Sequence, residues 1–136
     1  GLACYALGRW KEALEYFQHA LAIAEEIGDR AGLALTLNGM GTVYGDLGQH
    51  GKALEYYQYA LTIMKEIGDR VGESITRYNI ATVYYEQGYL VEAITEIKRV
   101  VELDQILGSP NLEQDAAFLA KLKIKLAKFR SGDSLM

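Results

Sequence analysis

A chain of 136 residues, half of them hydrophobic, holds enough apolar side chain for one domain and little more. Its net charge of −4 argues against a dedicated nucleic-acid binder, which presents a basic face to the phosphates. The lone Cys4 excludes an internal disulfide and fits a reducing, cytoplasmic setting; no apolar run reaches the roughly 20 residues of a membrane span, and nothing at the start reads as a signal peptide.

Hydrophobic residues at steps of three and four predict helices over 11–27, 30–47, 50–67, 70–87, 90–107 and 110–129. By register Gly1 aligns with Gly41 and Ala81, in the middle of a helix, so the chain is expected to begin inside an array. Leu7-Gly8 should turn that first helix, as Leu47-Gly48 and Gly88 do later. Ile27-Gly28-Asp29-Arg30 and Ile67-Gly68-Asp69-Arg70 each end a helix on glycine and start the next on a capping aspartate. Ser109-Pro110 should start the last helix, with serine as cap and proline in the first turn. Its stripe of Leu112, Ala116, Leu119, Leu122, Leu126 and Phe129 reads as a terminal cap. Residues 131–136 are expected to form a disordered tail.

The stretch from Ala13 to Arg30 returns nearly verbatim from Ala53 to Arg70, an offset of 40 residues, and a fainter copy follows through Gly88, Ala93 and Val100. Such a period belongs to helical solenoids, which work through extended surfaces rather than a single pocket. Leu37, Met40-Gly41, Tyr44, Gly48, Ala53, Tyr57 and Ala60 resemble the tetratricopeptide signature. Ile80-Ala81, Tyr84, Gly88 and Ala93 repeat it, and Gly1, Gly8, Ala13, Phe17 and Ala20 precede it with Cys4 in place of the tyrosine. The repeat departs from the family's 34 residues and lacks a closing proline. It is similar in this to the arrays of kinesin light chains, spindle-orienting scaffolds and bacterial signalling proteins.

The resemblance implies an all-α, right-handed superhelical solenoid of antiparallel helix pairs with a C-terminal capping helix. One domain would span 1–130: a partial repeat over 1–28, repeats over 29–68 and 69–108, and the cap over 110–129. Gly41 or Ala81, with Ala53 or Ala93, should let paired helices approach closely, and Tyr44, Tyr57 and Tyr84 should fill the core.

In this family the first helix of each repeat lines the concave groove. That assigns partner contact to Leu35, Asn38, Thr42 and Asp46, then to Ile75, Tyr78, Asn79, Thr82, Tyr85 and Glu86. Asparagine can bond both backbone groups of an extended peptide, tyrosine offers apolar area with a polar tip, and Asp46 and Glu86 would favour a basic ligand. Each has a plainer reading: the asparagines bridge helices, the tyrosines pack, and the acids are solvated. The carboxylate clamp of chaperone-binding relatives is not expected, because Asn38 and Tyr78 stand where its first lysine belongs and Thr42 and Thr82 follow a turn later.

Other chemistry lacks its residues. His19 and His50 stand alone, far short of a metal's three or four ligands. Cys4 has no paired base, the glycines mark helix joints rather than a phosphate loop, and Gly32 and Gly72 recur in a first helical turn, which suggests close packing. Lys121, Lys123, Lys125, Lys128 and Arg130 read as the solvated side of the cap. The sequence thus predicts a non-catalytic protein-interaction module, without cofactor or metal, that binds a protein or peptide and neither nucleic acid nor membrane. The alternatives are self-association through the truncated N-terminal end, or a sensory arm of a multidomain ATPase or effector enzyme.

Overall fold

The computed structural model describes residues 2–132, with side chains from Gly8 onward. Six helices account for nearly all of them: α1 (Leu2–Ile27), α2 (Arg30–Asp46), α3 (His50–Ile67), α4 (Arg70–Gln87), α5 (Leu90–Leu107) and α6 (Leu112–Ser131). The bounds of α2 to α5 match the hydrophobic periodicity to within about one residue. The register of Gly1, the packing of Cys4 and the tail over 133–136 lie outside the described residues.

One closing motif recurs at the end of each of the first five helices. The link after α3 shows it: Gly68 takes a left-handed φ of 72°, its N–H bonds Lys65 O at 3.2 Å, and Asp69 N–H reaches Met64 O at 2.9 Å. Gly28, Gly48, Gly88 and Gly108 also take positive φ and close the same pair of bonds. On the far side of the first link, Asp29 accepts from Gly32 N at 2.9 Å. A Cβ on Gly32 would overlap that capping carboxylate, which explains the glycine in this first turn.

Two expectations fail at the ends. Leu7-Gly8 makes no turn, and α1 runs through it in one piece. Gly48 and Gly88 reverse a helix that has a full partner to pack against. Gly8 is not among the glycines of positive φ, so the helix is not closed there. At the other end α6 begins at Leu112, not Pro110. The Ser109 hydroxyl accepts from Asn111 N at 3.1 Å, and Leu112 N bonds Ser109 O, so serine caps a tight turn ahead of the helix. The helix then continues to Ser131, whose hydroxyl donates to Lys128 O, and Gly132 closes it with positive φ.

The chain forms two compact units, Gly1–Asp69 and Arg70–Met136. In the first, α2 packs against both α1 and α3. Its glycines receive an aromatic ring from each neighbour. Phe17 of α1 lies 2.7 Å from where a Cβ on Gly39 would sit, and Tyr57 of α3 lies 2.7 Å from that of Gly41. Phe17 and Tyr57 are the same position of the repeat, 40 residues apart. The close approach foreseen between Gly41 and Ala53 is therefore made differently: Gly41 houses the tyrosine ring, and the Ala53 methyl lies 3.8 Å from where a Cβ on Gly45 would sit. Ala34, Leu37, Ala60, Ile63 and Met64 form the core beside them, with Leu21 against it. Tyr57 is buried, whereas Tyr44 is half-buried and stacks on Tyr56 with ring centroids 5.3 Å apart. An exposed ion pair joins Arg30 to Glu66.

In the second unit α5 packs against α4 and α6. Ala81, Ala93, Ile94, Ile97 and Val100 form the core, closed by the fully buried Leu122 of α6. Phe118, Leu119 and Leu126 complete the packed face, and Tyr84 packs half-buried against it. Phe129, expected on that stripe, is 66% exposed. Glu73 is buried at the centre of an ion network. Arg77 Nε donates to it at 2.9 Å, Arg99 Nε lies at 3.5 Å, and Arg77 also reaches Glu96 at 3.1 Å. Burial raises the proton affinity of the Glu73 carboxyl, but Arg77 and then Arg99 outweigh it and hold the group below the usual carboxylate range.

Candidate partner-binding faces

The proposed contact residues fall on α2 in the first unit and on α4 in the second. On α2, Leu35 is 64% exposed, Thr42 and Asp46 are exposed, and Asn38 is half-buried. The Thr42 hydroxyl is already engaged: it donates to Asn38 O at 3.1 Å and lies 2.9 Å from the Tyr57 hydroxyl, which it can accept. What it offers a partner is its methyl group. Its role in holding the buried tyrosine was not legible from the repeat pattern.

On α4, Ile75 is 52% exposed, Tyr78 and Glu86 are exposed, and Asn79, Thr82 and Tyr85 are half-buried. Thr82 repeats the engagement of Thr42, donating to Tyr78 O at 3.0 Å. The two tyrosines are drawn towards α6. Phe118 sits 5.9 Å from each of them, centroid to centroid. Lys125 Nζ lies 3.3 Å from the Tyr85 hydroxyl and 4.9 Å from the ring centroid, with Lys121 at 6.0 Å. The hydrogen bond from Lys125, followed by the two ammonium charges, holds the Tyr85 phenol below its ordinary range. Part of the basic cluster assigned to solvent is therefore spent on Tyr85.

Two residues that pattern reading passed over lie beside this face. Asp104 of α5 and Asp115 of α6 are 3% and 8% exposed. They line a cavity of about 560 Å³ whose wall also includes Ile75, Tyr78 and Asn79. The signal was present in the sequence. Asp104 follows Ile97 and Val100 at core-facing steps, and Asp115 precedes Phe118, Leu119 and Leu122 in the same way. A charge at an apolar register is the informative exception. Among the described residues no group of three or more potential ligands is placed to hold a metal ion, and no helix is long and apolar enough to cross a membrane.

Residues 1–66 and 34–106 match the family model described as tetratricopeptide repeat. The chain belongs to the tetratricopeptide repeat family. Tetratricopeptide repeats serve in general as non-catalytic modules for protein–protein interaction. No curated protein matches the chain. Among solved structures it is similar to BtubC (BKLC) from P. vanneervenii, at 20% identity and a TM-score of 0.79, over 93% of this chain and 54% of that one. The chain thus spans about half the length of BtubC, and the likeness establishes an all-α helical repeat fold.

Proposed function

We propose that this tetratricopeptide chain binds extended or helical segments of a partner protein through the exposed face of the first helix of each hairpin, α2 in the first unit and α4 in the second. The observation that carries this reading is the pair Leu35 and Ile75. They occupy one register, 40 residues apart, and each stays mostly in solvent on the first helix of its hairpin. A single exposed aliphatic residue means little, but the same exposure repeated in register is a surface feature of the repeat. Asp46 and Glu86 support a basic ligand. Both sit in the last turn of a helix, where the backbone dipole disfavours a carboxylate by about 0.3–1 kcal/mol.

The test is a selection of displayed random peptides on the purified chain, followed by calorimetric titration of the best binder. Leu35→Glu should weaken a binder seated on α2, and Ile75→Glu one seated on α4, at least about tenfold, a change of about 1.4 kcal/mol, with unfolding curves unchanged. Undiminished affinity in both variants rejects the assignment.

A second reading, self-association, draws on a different surface. Tyr16, Ile23 and Ile27 recur at helical steps along α1, and each is well exposed. Sedimentation velocity across a hundredfold range of concentration tests it. A dimer lost in Ile23→Glu supports this interface, and a monomer throughout removes it.

A further inference from the structure

Asp104 and Asp115 bring two carboxyl groups together out of water, from α5 and α6. Ser74 of α4 donates its hydroxyl to Asp104 Oδ1 at 3.5 Å, while Asp104 Oδ2 is buried with no hydrogen-bond partner. The cavity they line is rimmed by the exposed apolar side chains of Val71, Ile75 and Tyr78. Among the described residues no other charged side chain lines it: α4 contributes Ser74, Tyr78 and Asn79, the turn before α6 contributes Ser109 and Asn111, and α6 itself Gln114. An acid pair at the bottom of an apolar collar is complementary to a cation on an aliphatic stem.

We propose that this cavity receives a lysine side chain of the partner polypeptide, with its ammonium seated between Asp104 and Asp115. The inference rests on the partner-binding reading above and names the chemistry that face selects. The stem would lie along Ile75 and Tyr78, whose ring can also attract the cation. Lysine fits better than arginine because an ammonium presents its three donors around a point, matching oxygens from two helices. The planar guanidinium fork wants both oxygens of one carboxylate, and Ser74 already engages one of the two on Asp104.

In the free protein burial, then the hydrogen bond and charge of Asp104, push Asp115 up to about 7. Below about 7 Asp115 is protonated, and its proton leaves for solvent as the ammonium enters. Affinity should therefore rise with pH below about 7, by at most about tenfold per unit, and level off above it.

The experiment follows the carboxyl ¹³C resonances of Asp104 and Asp115 between pH 5 and 8.5. The probes are an acetylated, amidated alanine pentapeptide with one central lysine, its norleucine counterpart, and n-butylammonium chloride. The lysine peptide should lower the apparent pKa of Asp115 by at least about one unit, the norleucine peptide should leave it in place, and Asp104→Asn should abolish the response. An Asp115 titration unmoved by the lysine peptide overturns the proposal. So does n-butylammonium binding as tightly as the peptide, which would make this a site for small amines. Library-selected peptides that bind equally well with norleucine for lysine would reject the lysine seat while leaving the α2 and α4 faces intact as the partner-binding surface.

Discussion

The ring of Phe118 on α6 lies 5.9 Å from the ring of Tyr78 on α4, centroid to centroid. The same phenylalanine meets Tyr85 edge-on at 5.9 Å. The final helix therefore does more than cover the end of α5: it steadies two tyrosines on the face assigned to the partner. Phe118→Ala should destabilise the second unit by roughly 2–4 kcal/mol, somewhat below a fully buried phenylalanine because the site is half-buried. Urea denaturation measures that loss. Because Tyr78 packs in this way, its own truncation mixes folding with binding, and Leu35 and Ile75 are the cleaner probes.

Gly41 and Gly45 lie one turn apart on α2 and should respond oppositely to the same change. A methyl group at Gly41 would overlap the Tyr57 ring, which is buried and bonded through its hydroxyl to Thr42. Gly41→Ala should cost about 1–3 kcal/mol. At Gly45 the added methyl meets only the Ala53 methyl at 3.8 Å, so Gly45→Ala should gain up to about 1 kcal/mol of helix propensity. Equal melting temperatures for the two variants would contradict the packing of α2 on α3.

Asp115 should make the protein less stable as pH rises from about 4 to about 7. Its carboxyl holds a proton in the folded state up to about 7, well above the ordinary value of 3.8. The folded state thus binds more protons than the unfolded one across that window, and stability falls with pH at no more than about 1.4 kcal/mol per unit from this group. Asp115→Asn should flatten that slope in urea titrations at pH 5, 6 and 7.

Glu73 acts in the other direction. Its lowered proton affinity contributes stability that is present above the ordinary carboxylate range and is lost as pH falls through the lowered value. Arg77→Met removes the nearer partner of a carboxylate that is 6% exposed and should cost about 3–5 kcal/mol at neutral pH. Adding Glu73→Leu should restore much of it. A double variant as unstable as Arg77→Met alone would show that the stranded Glu73 does not set the loss, leaving it to packing and the unpaired Glu96.

The repeated glycines and the step of three and four made α2 to α5 readable, because each link carries its own local chemistry in Gly28-Asp29 or Gly68-Asp69. Leu7-Gly8 misled because a glycine permits the left-handed closure without requiring it, and Gly8 keeps the helical conformation. The stretch from Ser109 to Asn111 misled because a serine hydroxyl caps a β-turn as readily as a helix. Within the candidate faces, Leu35, Asp46, Ile75 and Glu86 could be placed from register alone. The engagement of Thr42 with Tyr57, and of Tyr85 with Lys125, depends on contacts across 15 and 40 residues that periodicity does not encode. Asp104 and Asp115 were readable as charges at apolar registers, but their pairing across α5 and α6 needs the packing of both helices.

The partner-binding claim is tested most directly by methyl and amide NMR of the chain titrated with a peptide selected on it. The resonances of Leu35 and Asn38, or those of Ile75 and Tyr78, should shift in proportion to occupancy, while those of the exposed Tyr59 on α3 stay in place. Saturable binding that moves Tyr59 or the exposed stripe of Tyr16, Ile23 and Ile27, and leaves Leu35 and Ile75 unmoved, would contradict the account.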